Sequence, residues 1–203
     1  FDAVQARMAE LQSMMGRSST PVSGAGGVLG TNADDTFLMR KNFVALLQKD
    51  GAAFRSAHER INYNETINGR LIVEGGDGDD SFFMDDNSAI TTVDGGKGRD
   101  TINFYGYGAS VNLDLVKQAN NDGMIRNDQV LNFEVYTGTG YDDVMIGAGA
   151  ADTFNGSGGD DVLAGGGGND VLTGGAGADM LTGGAGKDIF GLSDFVYDNQ
   201  QNW

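Results

Sequence analysis

The chain has 203 residues, among them 34 Gly, one Pro, one His (His58) and no Cys. Without Cys there is no disulfide scaffold, Cys-ligated zinc site or thiol nucleophile; one His is too few for zinc chemistry built on two or three imidazoles; and no apolar run approaches the roughly 18 residues of a membrane-spanning helix. Lys and Arg total 13 against 29 Asp and Glu, a formal net charge of −16, so the chain repels nucleic acid and anionic membrane faces, and its natural small partner is a cation.

Residues 1–15 are predicted to form a short amphipathic packing helix, because Phe1, Val4, Met8, Leu11 and Met15 fall on one face. Residues 16–29 are rich in Gly and Ser and read as a linker, closing a first unit at 1–29. Gly24, Gly26 and Gly30 have only a loose dinucleotide-fingerprint spacing, since they follow no strand and open no helix. Residues 30–137 are expected to be irregular and β-rich, with short strands at 36–38, 43–47 and 70–73 and one or two helical turns at 52–60. His58 lies in that last stretch as a surface or packing residue; Ser56, two positions away, would point elsewhere on a helix. The chain opens at Phe1 with no signal-peptide pattern, so a fragment, or export without a cleaved leader, is expected.

From residue 138 a period of nine takes over. Six units run without a break: GTGYDDVMI (138–146), GAGAADTFN (147–155), GSGGDDVLA (156–164), GGGGNDVLT (165–173), GGAGADMLT (174–182) and GGAGKDIFG (183–191). Each has Gly at position one and Asp at position six: Asp143, Asp152, Asp161, Asp170, Asp179 and Asp188. Each has a large apolar residue at position eight: Met145, Phe154, Leu163, Leu172, Leu181 and Phe190. Two more units stand upstream, GGDGDDSFF (75–83) with Asp80 and GGKGRDTIN (95–103) with Asp100. A degenerate copy, GTNADDTFL (30–38), carries Asp35, which is expected only to cap its own turn. Residues 192–203 follow the last unit, where Phe195 and Val196 are expected to cap the open end.

GGxGxD has too many glycines and too little side chain for helix or strand, so it should turn, while the next three residues suit one short strand. Two such units close a circuit of 18 residues with a strand on each face. The stacked circuits give an all-β parallel β-roll whose thin core is the row of position-eight residues. Acids then line both edges, Asp143, Asp161 and Asp179 on one and Asp152, Asp170 and Asp188 on the other. Carboxylates about 5 Å apart repel by about 3 kcal/mol at an effective dielectric of 20, and Lys187 is the sole base in 138–191. A divalent cation relieves this, and oxygen ligands in irregular turns favour Ca²⁺ over Mg²⁺.

The units resemble the G-G-x-G-x-D-x-(apolar)-x nonapeptide of RTX, or haemolysin-type, calcium-binding proteins. The resemblance covers 138–191, 75–103 and 30–38 and is most specific in 165–191; Tyr141 and Ala150 depart from it at the fourth position. It implies that each Ca²⁺ lies between adjacent turns, held by two position-six carboxylates and by turn carbonyls, here those of Gly156, Gly158, Gly165, Gly167, Gly174, Ala176, Gly183 and Ala185. The expected pairs are Asp143/Asp161, Asp161/Asp179, Asp152/Asp170 and Asp170/Asp188, with a fifth at Asp80/Asp100. It further implies a fragment of a larger secreted protein of a Gram-negative bacterium, passed unfolded through a type I secretion apparatus and folded outside by calcium. Three roles follow: a non-catalytic scaffold module of an adhesin, toxin or surface-layer protein; the accessory tail of a secreted protease or lipase; or a flat face for glycan or ice. No HExxH or GxSxG motif is present, and position nine carries Thr only at Thr173 and Thr182, too few for an ice-matching rank.

Overall fold

A computed structural model describes residues 26–30, 33–40, 43–47, 49–50, 53–54, 59–62, 71–84, 90–123, 128–191 and 196–198. The helix expected at 1–15, His58 and Phe195 lie outside them. The regular elements among the described residues are all strands apart from one 3-10 turn at Gln118–Asn120.

One sheet has nine strands, in the spatial order Ile189–Gly191, Val171–Ala176, Thr153–Gly158, Val135–Thr137, Thr101–Asn103, Ser81–Met84, Thr36–Arg40, Phe43–Leu47 and Glu59–Asn62. The first seven are parallel; the last two join antiparallel. The chain alternates between this sheet and two others. Gly26–Leu29, Leu71–Asp77, Ile90–Lys97 and Gln129–Leu131 make a parallel sheet of four. Asp122–Gly123, Val111–Asp114, Val144–Ile146, Val162–Gly167, Asp179–Ala185 and Val196–Asp198 make a sheet of six, antiparallel only at its first pair.

The 18-residue circuit is explicit in the register. Thr153 pairs with Val171 and Val171 with Ile189, while Val144 pairs with Val162 and Val162 with Met180. Upstream, the spacing is 20, with Ser81 beside Thr101, and a register shift between Leu71 and Ile72 takes up one residue. The strands are longer than the expected three residues: Val162–Gly167 and Val171–Ala176 continue through positions one to three. Glycine permits this, because position two adopts a left-handed φ, 114° at Gly175, and the sharp reversal comes at position four, 139° at Gly177. The helical turns expected at 52–60 are not found in the described part of that stretch: Ala53–Phe54 and Glu59–Asn62 are strands, the latter held by pairing with Phe43–Leu47.

Alternation fills the interior. Met145, Phe154, Leu163, Leu172 and Leu181 are fully buried, and Phe190, at the end of the stack, is partly buried against them. The same core runs on through Tyr136, Phe133, Ile102, Phe82 and Phe37, with Phe37 stacked on Phe82 at 4.6 Å. It is therefore longer and more aromatic than the row of position-eight residues. Truncating Leu163 to Ala removes a side chain that no water touches, and is expected to lower stability by about 3 kcal/mol. Denaturant unfolding at saturating calcium measures this, with Phe190→Ala as the less costly comparison.

The four- and six-stranded sheets meet at a break. After Thr101–Asn103 the chain places Val111–Asp114 beside Val144–Ile146, 32 residues on, and only then returns to lay Gln129–Leu131 beside Ile90–Lys97. Side chains secure the excursion. Asp114 accepts the amides of Val116 and Lys117 at 3.0 and 2.7 Å and Asn120 Nδ2 at 2.8 Å, and Asn121 Oδ1 accepts the Asp114 amide at 2.7 Å. The Gln118 side-chain amide bonds both backbone groups of Val130, accepting from N at 3.1 Å and donating to O at 2.9 Å. It thus serves Val130 as a neighbouring strand would.

Candidate metal centre

Among the described residues, the turns from the four- or six-stranded sheets into the nine-stranded one lie on one edge, and the turns back lie on the other. On the first edge the Asp35 amide donates to Asp80 Oδ1 at 2.7 Å, the Asp80 amide to Asp100 Oδ1 at 2.7 Å, and the Asp100 amide to Glu134 Oε2 at 2.8 Å. Farther along, Asp152 donates to Asp170 Oδ1 at 2.8 Å and Asp170 to Asp188 Oδ1 at 3.0 Å. On the second edge Val111 donates to Asp143 Oδ1 at 2.7 Å, Asp143 to Asp161 Oδ1 at 2.8 Å and Asp161 to Asp179 Oδ1 at 3.0 Å. Apart from Asp143, which takes the Val111 amide, and Asp152, each of these position-six side chains therefore reaches back to the amide of its counterpart one circuit earlier. All five expected pairs are brought together in adjacent turns, and Asp80 and Asp100 share the edge of Asp152, Asp170 and Asp188.

A second row runs beside this one in the opposite sense. At position five, Asp34 Oδ1 accepts the Asp79 amide at 3.0 Å, Asp79 Oδ1 the Arg99 amide at 2.8 Å, Asp142 Oδ1 the Asp160 amide at 2.8 Å, Asp160 Oδ1 the Ala178 amide at 2.8 Å and Asn169 Oδ1 the Lys187 amide at 2.9 Å. These acceptors reach forward to the next circuit and are exposed. The two rows clamp each turn between its neighbours, so the circuits cannot slip in register.

Position one is buried, and its glycine is dictated by contact. A methyl group on Gly156, Gly165, Gly174 or Gly183 would collide with Oδ2 of Asp161, Asp170, Asp179 or Asp188 respectively. The carbonyl oxygen of the next circuit's position-one glycine also closes on Gly156 and Gly165, from Gly174 and Gly183; the carbonyls of Gly156 and Gly165 close likewise on Gly138 and Gly147. Carboxylate and carbonyl oxygens thus converge at each step. Among the expected position-three residues, the Ala176 and Ala185 carbonyls accept the Gly159 and Gly168 amides, both at 2.9 Å, and keep a second lone pair. Gly158 and Gly167 donate their own amides to the carbonyls of Thr139 and Ala148.

The electrostatics are unfavourable for protein atoms alone. Asp80, Asp100, Asp143, Asp152, Asp161, Asp170 and Asp179 are all buried. Oδ2 of Asp80, Asp100, Asp152, Asp161 and Asp170 has no hydrogen-bond partner among the described residues. Asp143 differs: the Thr139 amide donates to its Oδ2 at 2.6 Å and the Thr139 hydroxyl lies 3.0 Å from its Oδ1, which closes that end of the row. Burial pushes the carboxyls of Asp80, Asp152 and Asp161 up to about 7 and that of Asp100 up to about 6, neighbouring acids adding to the rise. Asp143 and Asp170 are raised by the same cause. Unpaired buried carboxylate oxygens carry a large desolvation penalty, and a hard cation among oxygen donors removes it.

Residues 137–172 and 155–190 match the family described as RTX calcium-binding nonapeptide repeat (4 copies). Residues 137–190 are RTX calcium-binding repeats. RTX repeats bind calcium, so this array is a calcium-binding module, and the unpaired carboxylates and converging carbonyls of its turns suit that ion. The comparison with curated proteins finds no match. Asp35, in the degenerate copy at 30–38, donates its amide to Asp80 and holds its Oδ2 against Gly30 of its own turn. One rung escapes the RTX pattern. Glu134 had no spacing signal at all.

Proposed function

We propose that the chain is a calcium-dependent folding and scaffold module of a larger secreted protein of adhesin, toxin or surface-layer type, built as a parallel β-roll and without catalytic chemistry of its own. The observation that carries this is the set of buried, unpartnered carboxylate oxygens, those of Asp80, Asp100, Asp152 and Asp170 on the first edge and that of Asp161 on the second. Four ions would sit in the main array, between Asp143 and Asp161, Asp161 and Asp179, Asp152 and Asp170, and Asp170 and Asp188, with the position-one and position-three carbonyls completing each shell. A fifth would sit between Asp80 and Asp100. Bound calcium supplies charge neutralisation and up to eight oxygen contacts per ion.

A Gly-rich chain loses much entropy on ordering, so ion binding and folding are coupled. Extracellular modules bind at about 10⁻⁴–10⁻³ M, which leaves the chain open in a low-calcium cytosol and closes it outside. That behaviour suits passage through a type I secretion apparatus and a final place outside the cell or on its surface. A calcium titration followed by far-UV circular dichroism tests the proposal. The β signal should appear cooperatively with calcium, fail to appear at equal magnesium, and vanish on chelation; a spectrum indifferent to chelation refutes it.

A further inference from the structure

Between the turn at 95–100 and the repeats from 138 the nonapeptide pattern fails, and the chain crosses the first edge on Asn132, Phe133 and Glu134. Asp94 pairs with Leu131 and Thr101 with Val135, so Asn132 stands beside Gly95 and Glu134 beside Asp100. Three residues therefore do what six do elsewhere, and both polar features of the longer turn reappear. The Asn132 carbonyl oxygen closes on Gly95, as that of Gly95 closes on Gly75. To place it there, Asn132 adopts a φ of 54°, a left-handed conformation that few residues other than Gly occupy. Glu134 Oε2 accepts the Asp100 amide at 2.8 Å, as Asp100 Oδ1 accepts that of Asp80 at 2.7 Å. The extra methylene of Glu makes up for the missing length of turn. Phe133 fills the place of the absent residues and packs edge-on to Phe82, with centroids 5.0 Å apart.

The second sign of a ligand is Asp100 itself. It is fully buried, and its Oδ2 has no hydrogen-bond partner among the described residues. An unsatisfied ionised oxygen in that position needs a cation or a proton donor.

We propose that Asn132, Phe133 and Glu134 form a glycine-free half of a calcium site, with one ion held between the carboxylates of Asp100 and Glu134 and by the Asn132 carbonyl. The inference rests on the calcium-dependent reading above, and its residues lie outside the matched repeats at 137–190. It also ends a row. The Glu134 amide turns to the Asp100 carbonyl at 3.2 Å and its own carbonyl accepts the Thr153 amide at 2.8 Å, while the Asp152 carboxylate is bonded by the Ala148 amide of its own turn. The upstream ions thus form a set that stops at Glu134, and the downstream set starts afresh at Asp152.

The test is a count of bound calcium on the full chain by equilibrium dialysis and atomic absorption. Glu134→Gln keeps an oxygen for the Asp100 amide and removes only the charge; Glu134→Asp keeps the charge but is one methylene too short to reach. Both are expected to reach the wild-type dichroism spectrum at saturating calcium with one ion fewer per chain. Terbium luminescence should show the same single loss. If wild type binds calcium and both variants bind as many ions with equal affinity, the Glu134 site is overturned and the calcium reading stands. If wild type binds no calcium, both fall together.

Discussion

Replacing Asp161 or Asp170 by Asn is expected to raise the calcium concentration at the folding midpoint about tenfold, a change worth about 1.4 kcal/mol. Each is the middle rung of three, so each borders two ion slots. Asn retains the Oδ1 acceptor that takes the Asp143 or Asp152 amide, at 2.8 Å in both cases, so the hydrogen-bonded row survives. What disappears is one negative charge and the unpartnered Oδ2, replaced by an NH₂ group that points donor hydrogens where the cation should be. Asp188→Asn borders one slot and sits half-buried at the end of the row, so its midpoint should move less. The measurement is the dichroism midpoint against calcium for the three variants beside wild type. Unchanged midpoints for Asp161→Asn and Asp170→Asn would remove both residues from the sites.

The nine-residue period made the array legible because each position has one physical task. Glycine at position one leaves room for a carboxylate, Asp at position six bonds the previous circuit, and the residue at position eight enters the core. Where those tasks are done by other residues, the pattern is silent. Glu134 performs the task of Asp from a turn three residues shorter, so no period contains it. The edge occupied by Asp80 and Asp100 depends on how often the chain crosses between sheets from 104 to 137. That number is fixed by Gln118 bonding Val130 and by Asp114 holding the amides of Val116 and Lys117, local chemistry with no repeat signature. One or two helical turns are expected at 52–60, but the pairing of Glu59–Asn62 with Phe43–Leu47 outweighs local helix preference there.

Acidification should have opposite effects with and without calcium. In calcium-stripped buffer, the folded carboxyls of Asp80, Asp152 and Asp161 hold their protons up to about pH 7, and that of Asp100 up to about 6, because burial disfavours the charged form. In the unfolded chain they release them near 3.9. Between these limits the fold binds more protons than the unfolded chain, so its stability falls as pH rises. The protonated carboxyls' contribution is complete below about pH 4 and is lost as pH passes through 6 to 7. Stripped protein moved from pH 8 to pH 5 should therefore gain β-structure, with protons taking the place of the ions. With calcium present, protons compete for the same oxygens, and the midpoint should rise as pH drops below 7. Net self-repulsion at −16 also eases in acid, but salt screens that effect between exposed charges far more than it affects buried carboxyls. Dichroism at pH 8 and 5, in low and in 0.5 M salt, separates the two: a gain of structure at pH 5 that persists in high salt assigns the switch to the buried rungs, whereas equal spectra at both pH values, with a calcium midpoint that ignores pH, would show that those carboxyls do not control folding.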